Sequence, residues 1–300
     1  KYVGGLRKMF KGAITAIVTP FMMNGDLDEE SLRKLVEFQI KNKIDGIVPC
    51  GTTGESPTLD YGEHDRAIEI VIEAANGKVP VIAGTGSNSA EEAIEMTKHA
   101  ADAGADASMQ VCPYYNKPTQ EGLFRHFSAI AKAADIPMII YNIHGRTSVN
   151  LETSTLARLA KEHSNIIGVK EGSGNLAQMM DVINELPKNF DVLSGDDNFT
   201  LPLMALGGKG VISVASNIIP REMHDLCEYA SKRNFEKARQ MHYKLLPLFK
   251  GIFIETNPIP IKAALAMKGM IKESYRLPMC EMKSENREKL RKILKNLKII

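Results

Sequence analysis

From Ala13 onward, short β-branched or apolar runs alternate with longer segments of helical period. The apolar runs fall at residues 14–19, 46–50, 81–84, 107–112, 138–142, 166–170, 191–194 and 210–214, and each reads as a buried strand. Between them, Asp28 caps a segment that puts Leu32, Leu35, Val36 and Ile40 on one face. Ser89 with Glu92 makes a capping box ahead of Ala93, Met96, Thr97 and Ala100, and Gly104 ends that helix. Leu123, Phe127, Ile130 and Ala134 repeat the period, as do Leu176, Met179, Met180 and Ile183. Eight strands each followed by a helix predict an α/β fold of the TIM (β/α)8 barrel type rather than an open doubly wound sheet. Ser108 and Gln110 are a local misfit, because a strand buried on both faces is expected to be continuously apolar.

After the eighth strand, three further helical patterns run over residues 235–249, 257–267 and 284–297. The expected organisation is therefore a barrel over residues 9–219 and a helical extension over 220–300 packed against it. Residues 1–8 stand ahead of Met9 and are left out of the fold reading.

Composition changes this picture little. The formal net charge is +2, with 44% hydrophobic and 25% charged residues, which offers no electrostatic footprint for nucleic acid or a membrane surface and favours a small polar metabolite. No apolar run approaches the roughly 18 residues of a spanning helix, and the expected location is cytoplasmic. Cys50, Cys112, Cys227 and Cys280 are far apart and read as reduced thiols, and the histidines show no zinc-like spacing. Neither a metal nor another cofactor is expected.

In a β/α barrel the chemistry lies at the carboxyl ends of the strands. The sixth strand ends in Ile166-Ile167-Gly168-Val169-Lys170, so Lys170 sits where strand becomes loop. A lysine carried into an apolar interior either pairs or loses its proton, and a neutral amine is the nucleophile of Schiff-base chemistry. Read alone, the residue is better explained as a lysine that snorkels out or pairs with Glu171. The second strand ends in Gly51-Thr52-Thr53-Gly54-Glu55, which suits a carboxylate, a phosphate or a plain tight turn. Tyr141 offers proton transfer or an ordinary core contact, and Arg146 a carboxylate clamp or a solvated charge. The run Gly207-Gly208-Lys209-Gly210 precedes the eighth strand and so belongs to the opposite end of the barrel, which disfavours a phosphosugar enzyme.

Five stretches together carry a family resemblance: Gly51 to Leu59, Pro113-Tyr114-Tyr115-Asn116-Lys117-Pro118, Tyr141-Asn142 with Arg146-Thr147, Gly168-Val169-Lys170-Glu171, and Ser194-Gly195-Asp196-Asp197. From Met9 onward the chain resembles the dihydrodipicolinate synthase branch of the pyruvate-dependent class I aldolases, a group that also holds N-acetylneuraminate lyase. The resemblance implies a Schiff base between Lys170 and pyruvate, with Thr52 and Thr53 holding the pyruvate carboxylate. It implies that Tyr141 relays protons in a hydroxyl triad with Thr53 and Tyr115, the last reaching into a neighbouring subunit. Arg146 would hold the carboxylate of L-aspartate 4-semialdehyde, and the backbones of Gly195 and Ile212 would line the pocket.

The implied reaction condenses these two substrates in the lysine and diaminopimelate pathway. Cleavage of a sugar-derived 2-oxo acid, N-acetylneuraminate or 2-keto-3-deoxygluconate, is the alternative within the family. Ser56, His64, Asn88, Glu92 and Tyr114 match the family's lysine-feedback site, and a homotetramer built as a dimer of dimers is implied. Two departures stand out: His144 where the family usually has proline, and Tyr61 at a position often occupied by histidine in lysine-sensitive members.

Overall fold

A computed structural model describes residues 9–300, and the reading of residues 1–8 lies outside the described residues. Eight parallel strands, β1 (Gly12–Ala16), β2 (Gly46–Val48), β3 (Ile82–Gly84), β4 (Ala107–Val111), β5 (Met138–Asn142), β6 (Ile166–Glu171), β7 (Asp191–Ser194) and β8 (Gly210–Ser213), follow one another around the sheet. β1 pairs with β8, and β2 meets β3 through the parallel bridge between Ile47 and Val81 and the bond from Gly84 N to Pro49 O at 3.0 Å, so the ring closes. An inner layer that includes Ile14, Val48, Ile139, Ile167, Leu193 and Ile212 fills the barrel.

The first two strands stop two or three residues before the ends of their apolar runs, and the hydrogen bonds say why. Beyond Ala16 the chain leaves the ladder when Val18 N turns to the side chain of Asn217 at 3.1 Å. Beyond Val48, Pro49 has no N–H to give and Cys50 takes a left-handed φ of 54°. The polar residues of β4 are resolved as well. Met109 faces the barrel interior, while Gln110 donates to Thr85 (2.7 Å), Thr97 (2.8 Å) and Ser108 (3.2 Å) in a buried network under the helix Ala90–Asp102.

The helix Pro220–Ser231 packs on β1 and β8 and so completes the outer ring. The eighth barrel helix thus lies within the segment expected to form the extension, because the chain turns back along the barrel directly after β8. The helices Phe235–Gly251, Ile259–Met267 and Ser284–Asn296 pack beyond it, and Leu248, Phe249, Leu290 and Leu294 join the apolar layer outside the strands. Among the described residues no helix is long and apolar enough to cross a membrane.

Candidate active site

Lys170 points into the barrel because β6 is irregular. Ile166 and Val169 pack outward against helices and Ile167 packs inward, with a register shift against β5 between Met138 and Ile139. Strict alternation from Ile166 would send residue 170 outward as well, and the extra residue reverses that parity. Lys170 then pairs in register with Tyr141 on β5 and Leu193 on β7, both inner-layer residues.

Lys170 is only 5% exposed, and burial pulls its pKa down to about 7, with Asp197 drawing it back up. Its Nζ lies 4.0 Å from the centroid of the Tyr141 ring, and among the described residues no side chain accepts a hydrogen bond from it. Glu171 is not its partner. That carboxylate faces the other way, accepting from Asn142 Nδ2 (3.3 Å), Ser173 N (2.9 Å) and Gln178 Nε2 (3.3 Å). The buried carboxyl of Asp197 is itself raised to about 6, chiefly by burial, while Val214 N (3.1 Å) and Ala215 N (2.9 Å) donate to it.

A cavity of about 220 Å³ has a wall that includes Thr52, Tyr141, Arg146 and Tyr114; Lys170 is not itself in that wall and adjoins it through the ring of Tyr141. Tyr141 is hydrogen-bonded to Thr52, and burial raises its hydroxyl pKa. The hydroxyl beside Tyr141 belongs to Thr52, whereas Thr53 is turned under the loop and accepts from Asn257 Nδ2 at 3.0 Å. Consecutive residues of a tight turn present opposite sides, and spacing alone does not say which side faces the mouth. Among the described residues the backbone N–H groups of Thr52 and Thr53 donate to no protein acceptor.

Arg146 sits on the short helix His144–Thr147 at the rim and donates to the backbone carbonyl of Asn257 at 3.1 Å. Tyr115 does not join the others in this chain: it is 90% exposed, on a residue held at a φ of 72°. Neither Gly195 nor Ile212 contributes to the cavity wall. Ile212 is packed a layer below, and Gly195 donates to Glu171 O at 2.8 Å. Cys50 lines the cavity, but burial pushes its thiol well above the ordinary range, which disfavours a reactive thiolate.

A second cavity opens beside the first, lined by Ser56, His64, Glu92 and Tyr114 together with Tyr61. Asn88 borders it by donating to Tyr114 O at 3.2 Å. The expected capping box is only half made: Ser89 accepts from Glu92 N at 3.5 Å, while the Glu92 carboxylate accepts from Ser87 Oγ at 2.7 Å. Glu92 thereby faces the cavity.

Sequence reasoning missed the supports behind the mouth. Glu55 takes a left-handed φ of 53° at the end of the threonine loop, and its carboxylate is paired with Lys262 in full burial. Nothing in the apolar pattern of residues 257–267 marked Lys262 or Asn257; only their distance in sequence from Glu55 and Thr53 hid them. The one group of metal-ligand type among the described residues, His224, Asp225 and Glu228, lies away from the mouth, with His224 bonded to Asp45 at 3.0 Å and Asp225 to Arg221 at 2.9 Å.

A sequence model of the dihydrodipicolinate synthetase (DHDPS) family matches residues 9–297. The chain belongs to the dihydrodipicolinate synthetase family. It is 59% identical over 292 residues to the 4-hydroxy-tetrahydrodipicolinate synthase of Syntrophus aciditrophicus, covering 97% of this chain and 100% of that one. Its fold superposes with a TM-score of 0.95 on chloride-inhibited dihydrodipicolinate synthase from Acinetobacter baumannii complexed with pyruvate, at 46% identity over 97% of this chain and 100% of that one. The TM-score is also 0.95 against DHDPS from Cyanidioschyzon merolae with lysine bound, at 43% identity over 98% and 100% of the two chains. As a DHDPS family member the chain is a Schiff-base-forming lyase of the class I aldolase type, with 4-hydroxy-tetrahydrodipicolinate synthase activity.

Proposed function

We propose that Lys170 is the nucleophile, that pyruvate is its first partner and that L-aspartate 4-semialdehyde is the second. The observation that carries this reading is the buried amine of Lys170, unpaired by any carboxylate and held 4.0 Å from the centroid of the Tyr141 ring, next to Thr52. The neutral amine attacks the keto carbon of pyruvate, a proton passes from nitrogen to the former carbonyl oxygen, and water leaves as the imine forms. Loss of a methyl proton gives the enamine, whose carbon attacks the aldehyde. Tyr141, hydrogen-bonded to Thr52, is placed to carry those protons, and the N–H groups of Thr52 and Thr53 suit the pyruvate carboxylate. Arg146 at the rim suits the carboxylate of the second substrate, and Ile212 in β8 with Gly195 just past β7 supports the floor.

Tyr115 completes the hydroxyl set from one subunit to the next; its exposure and left-handed backbone favour a role outside its own barrel. A dimer of dimers is supported further by the mostly apolar groove lined in part by the exposed Phe235 and Tyr243. L-lysine is the proposed effector at the second cavity, where the carboxylate of Glu92 suits an ammonium group; a relative's structure has lysine bound. Borohydride added with pyruvate should leave a permanent adduct on Lys170, seen by peptide mass mapping. An unmodified protein would refute the imine. Lysine titrated into the assay should lower the rate, and sedimentation should report four chains; an unchanged rate or a smaller particle removes those two parts.

A further inference from the structure

Asn257 touches both loops that the proposed function assigns to the two substrate carboxylates. Its Nδ2 donates to Thr53 Oγ1 at 3.0 Å, and its backbone carbonyl accepts from Arg146 at 3.1 Å. Thr53 follows β2 and Arg146 follows β5, so one residue from the C-terminal part of the chain spans the mouth of the barrel. Asn257 is 4% exposed, and its Oδ1 is buried without a hydrogen-bond partner among the described residues. A buried amide with one acceptor unmet is a cost that packing alone does not call for. An apolar side chain of similar size would fill the space without it.

The two bonds act on different things. The side-chain bond uses a lone pair of Thr53 Oγ1 and holds that residue under a loop whose Thr52 and Thr53 N–H groups meet no protein acceptor among the described residues. The main-chain bond restrains a long rim arginine that would otherwise sample many rotamers, and so lowers the ordering cost when a carboxylate binds.

We propose that Asn257 is a positioning residue for both substrates: its side chain sets the threonine loop for pyruvate, and its carbonyl aims Arg146 at the aldehyde substrate. This inference rests on the assignment of those loops given above.

The Asn257→Ala variant cuts the side-chain tie and keeps the carbonyl. Its kcat/KM for pyruvate should fall about tenfold, mostly through KM, as befits one lost buried hydrogen bond. KM for aspartate semialdehyde should stay within about twofold, a split that general loosening of the fold would not produce. Thr53→Val removes the other end of the same bond, so the double variant should fall no further than either single one, and Thr53→Ser should recover wild-type behaviour to within about twofold. If Asn257→Ala does not fold, the contrast between Thr53→Val and Thr53→Ser in pyruvate KM decides the matter. Borohydride trapping of the wild type with pyruvate separates the two levels: absence of a Lys170 adduct defeats the assignment of the loops and the inference with it. A trapped wild type combined with an unchanged pyruvate KM in Asn257→Ala, or with single losses that multiply in the double variant, overturns the role of Asn257 alone.

Discussion

Lys170 and Lys262 are both buried lysines near the mouth of one barrel, and burial lowers the pKa of each. They differ in what faces the amine. Lys262 meets the carboxylate of Glu55 and packs over the ring of Phe21, with Nζ 4.4 Å from its centroid. Lys170 meets the aromatic face of Tyr141, whose other contacts line the cavity, with Asp197 as the carboxylate that pulls on it. The comparison teaches that desolvation is necessary for a reactive amine and insufficient for one. A directly paired lysine is a strut, whereas an unpaired one next to a cavity-lining tyrosine suits the role of nucleophile proposed for Lys170. Glu55 ends the threonine loop, so the strut holds part of the site that the nucleophile uses.

Replacing each lysine by methionine should break the comparison most sharply. Lys170→Met should lose at least about 10⁴-fold in turnover, measured with both substrates. The same variant should resist urea better than the wild type at pH 6. In the folded state the pKa of Lys170 lies below its unfolded value, so protonation penalises the fold fully below about 7, and the penalty fades as pH rises toward the unfolded value. The stability gain of Lys170→Met should therefore shrink steadily in urea melts between pH 7 and 10. A variant less stable than the wild type at pH 6 would show that the amine is well solvated after all.

Lys262→Met should behave in the opposite manner, losing about 3–5 kcal/mol of stability in urea melts because Glu55 is left buried without its partner. Unchanged melts would reduce the pair to a bystander. A smaller effect, about 1–3 kcal/mol, is expected for Gly168→Ala. A Cβ at that position would lie 2.6 Å from Asp191 O on β7, and forcing the strands apart at the irregularity should disturb the aim of Lys170. Thermal melts and borohydride trapping read the two consequences, and a variant normal in both would remove the irregularity from the account.

The finest test concerns pH. The amine reacts when neutral, so kcat/KM for pyruvate should rise with pH through an acid limb near 7. Asp197 favours the protonated amine, and Asp197→Asn should move that limb to lower pH by a fraction of a unit. A limb that stays in place, or moves upward, would deny electrostatic contact between the two groups.

The strands, the order of the barrel and the residues at the strand ends were legible because each depends on nearby sequence. A β-branched run forms a strand wherever it lies, and a helical period of apolar positions makes a helix that covers it. Lys170, Tyr141, Arg146 and the threonine loop could be placed at one mouth for the same reason. Three matters were decided only in tertiary structure. The register shift in β6 set which way Lys170 points, since one extra residue reverses a parity that no local propensity encodes. Thr53 is tied to Asn257, 204 residues away along the chain, while Thr52 stands beside Tyr141. The partner of Glu55 was set by Lys262, 207 residues away. Hydrogen bonds and ion pairs of that span have no period and no local signature, because folding, rather than the sequence around either group, brings their ends together.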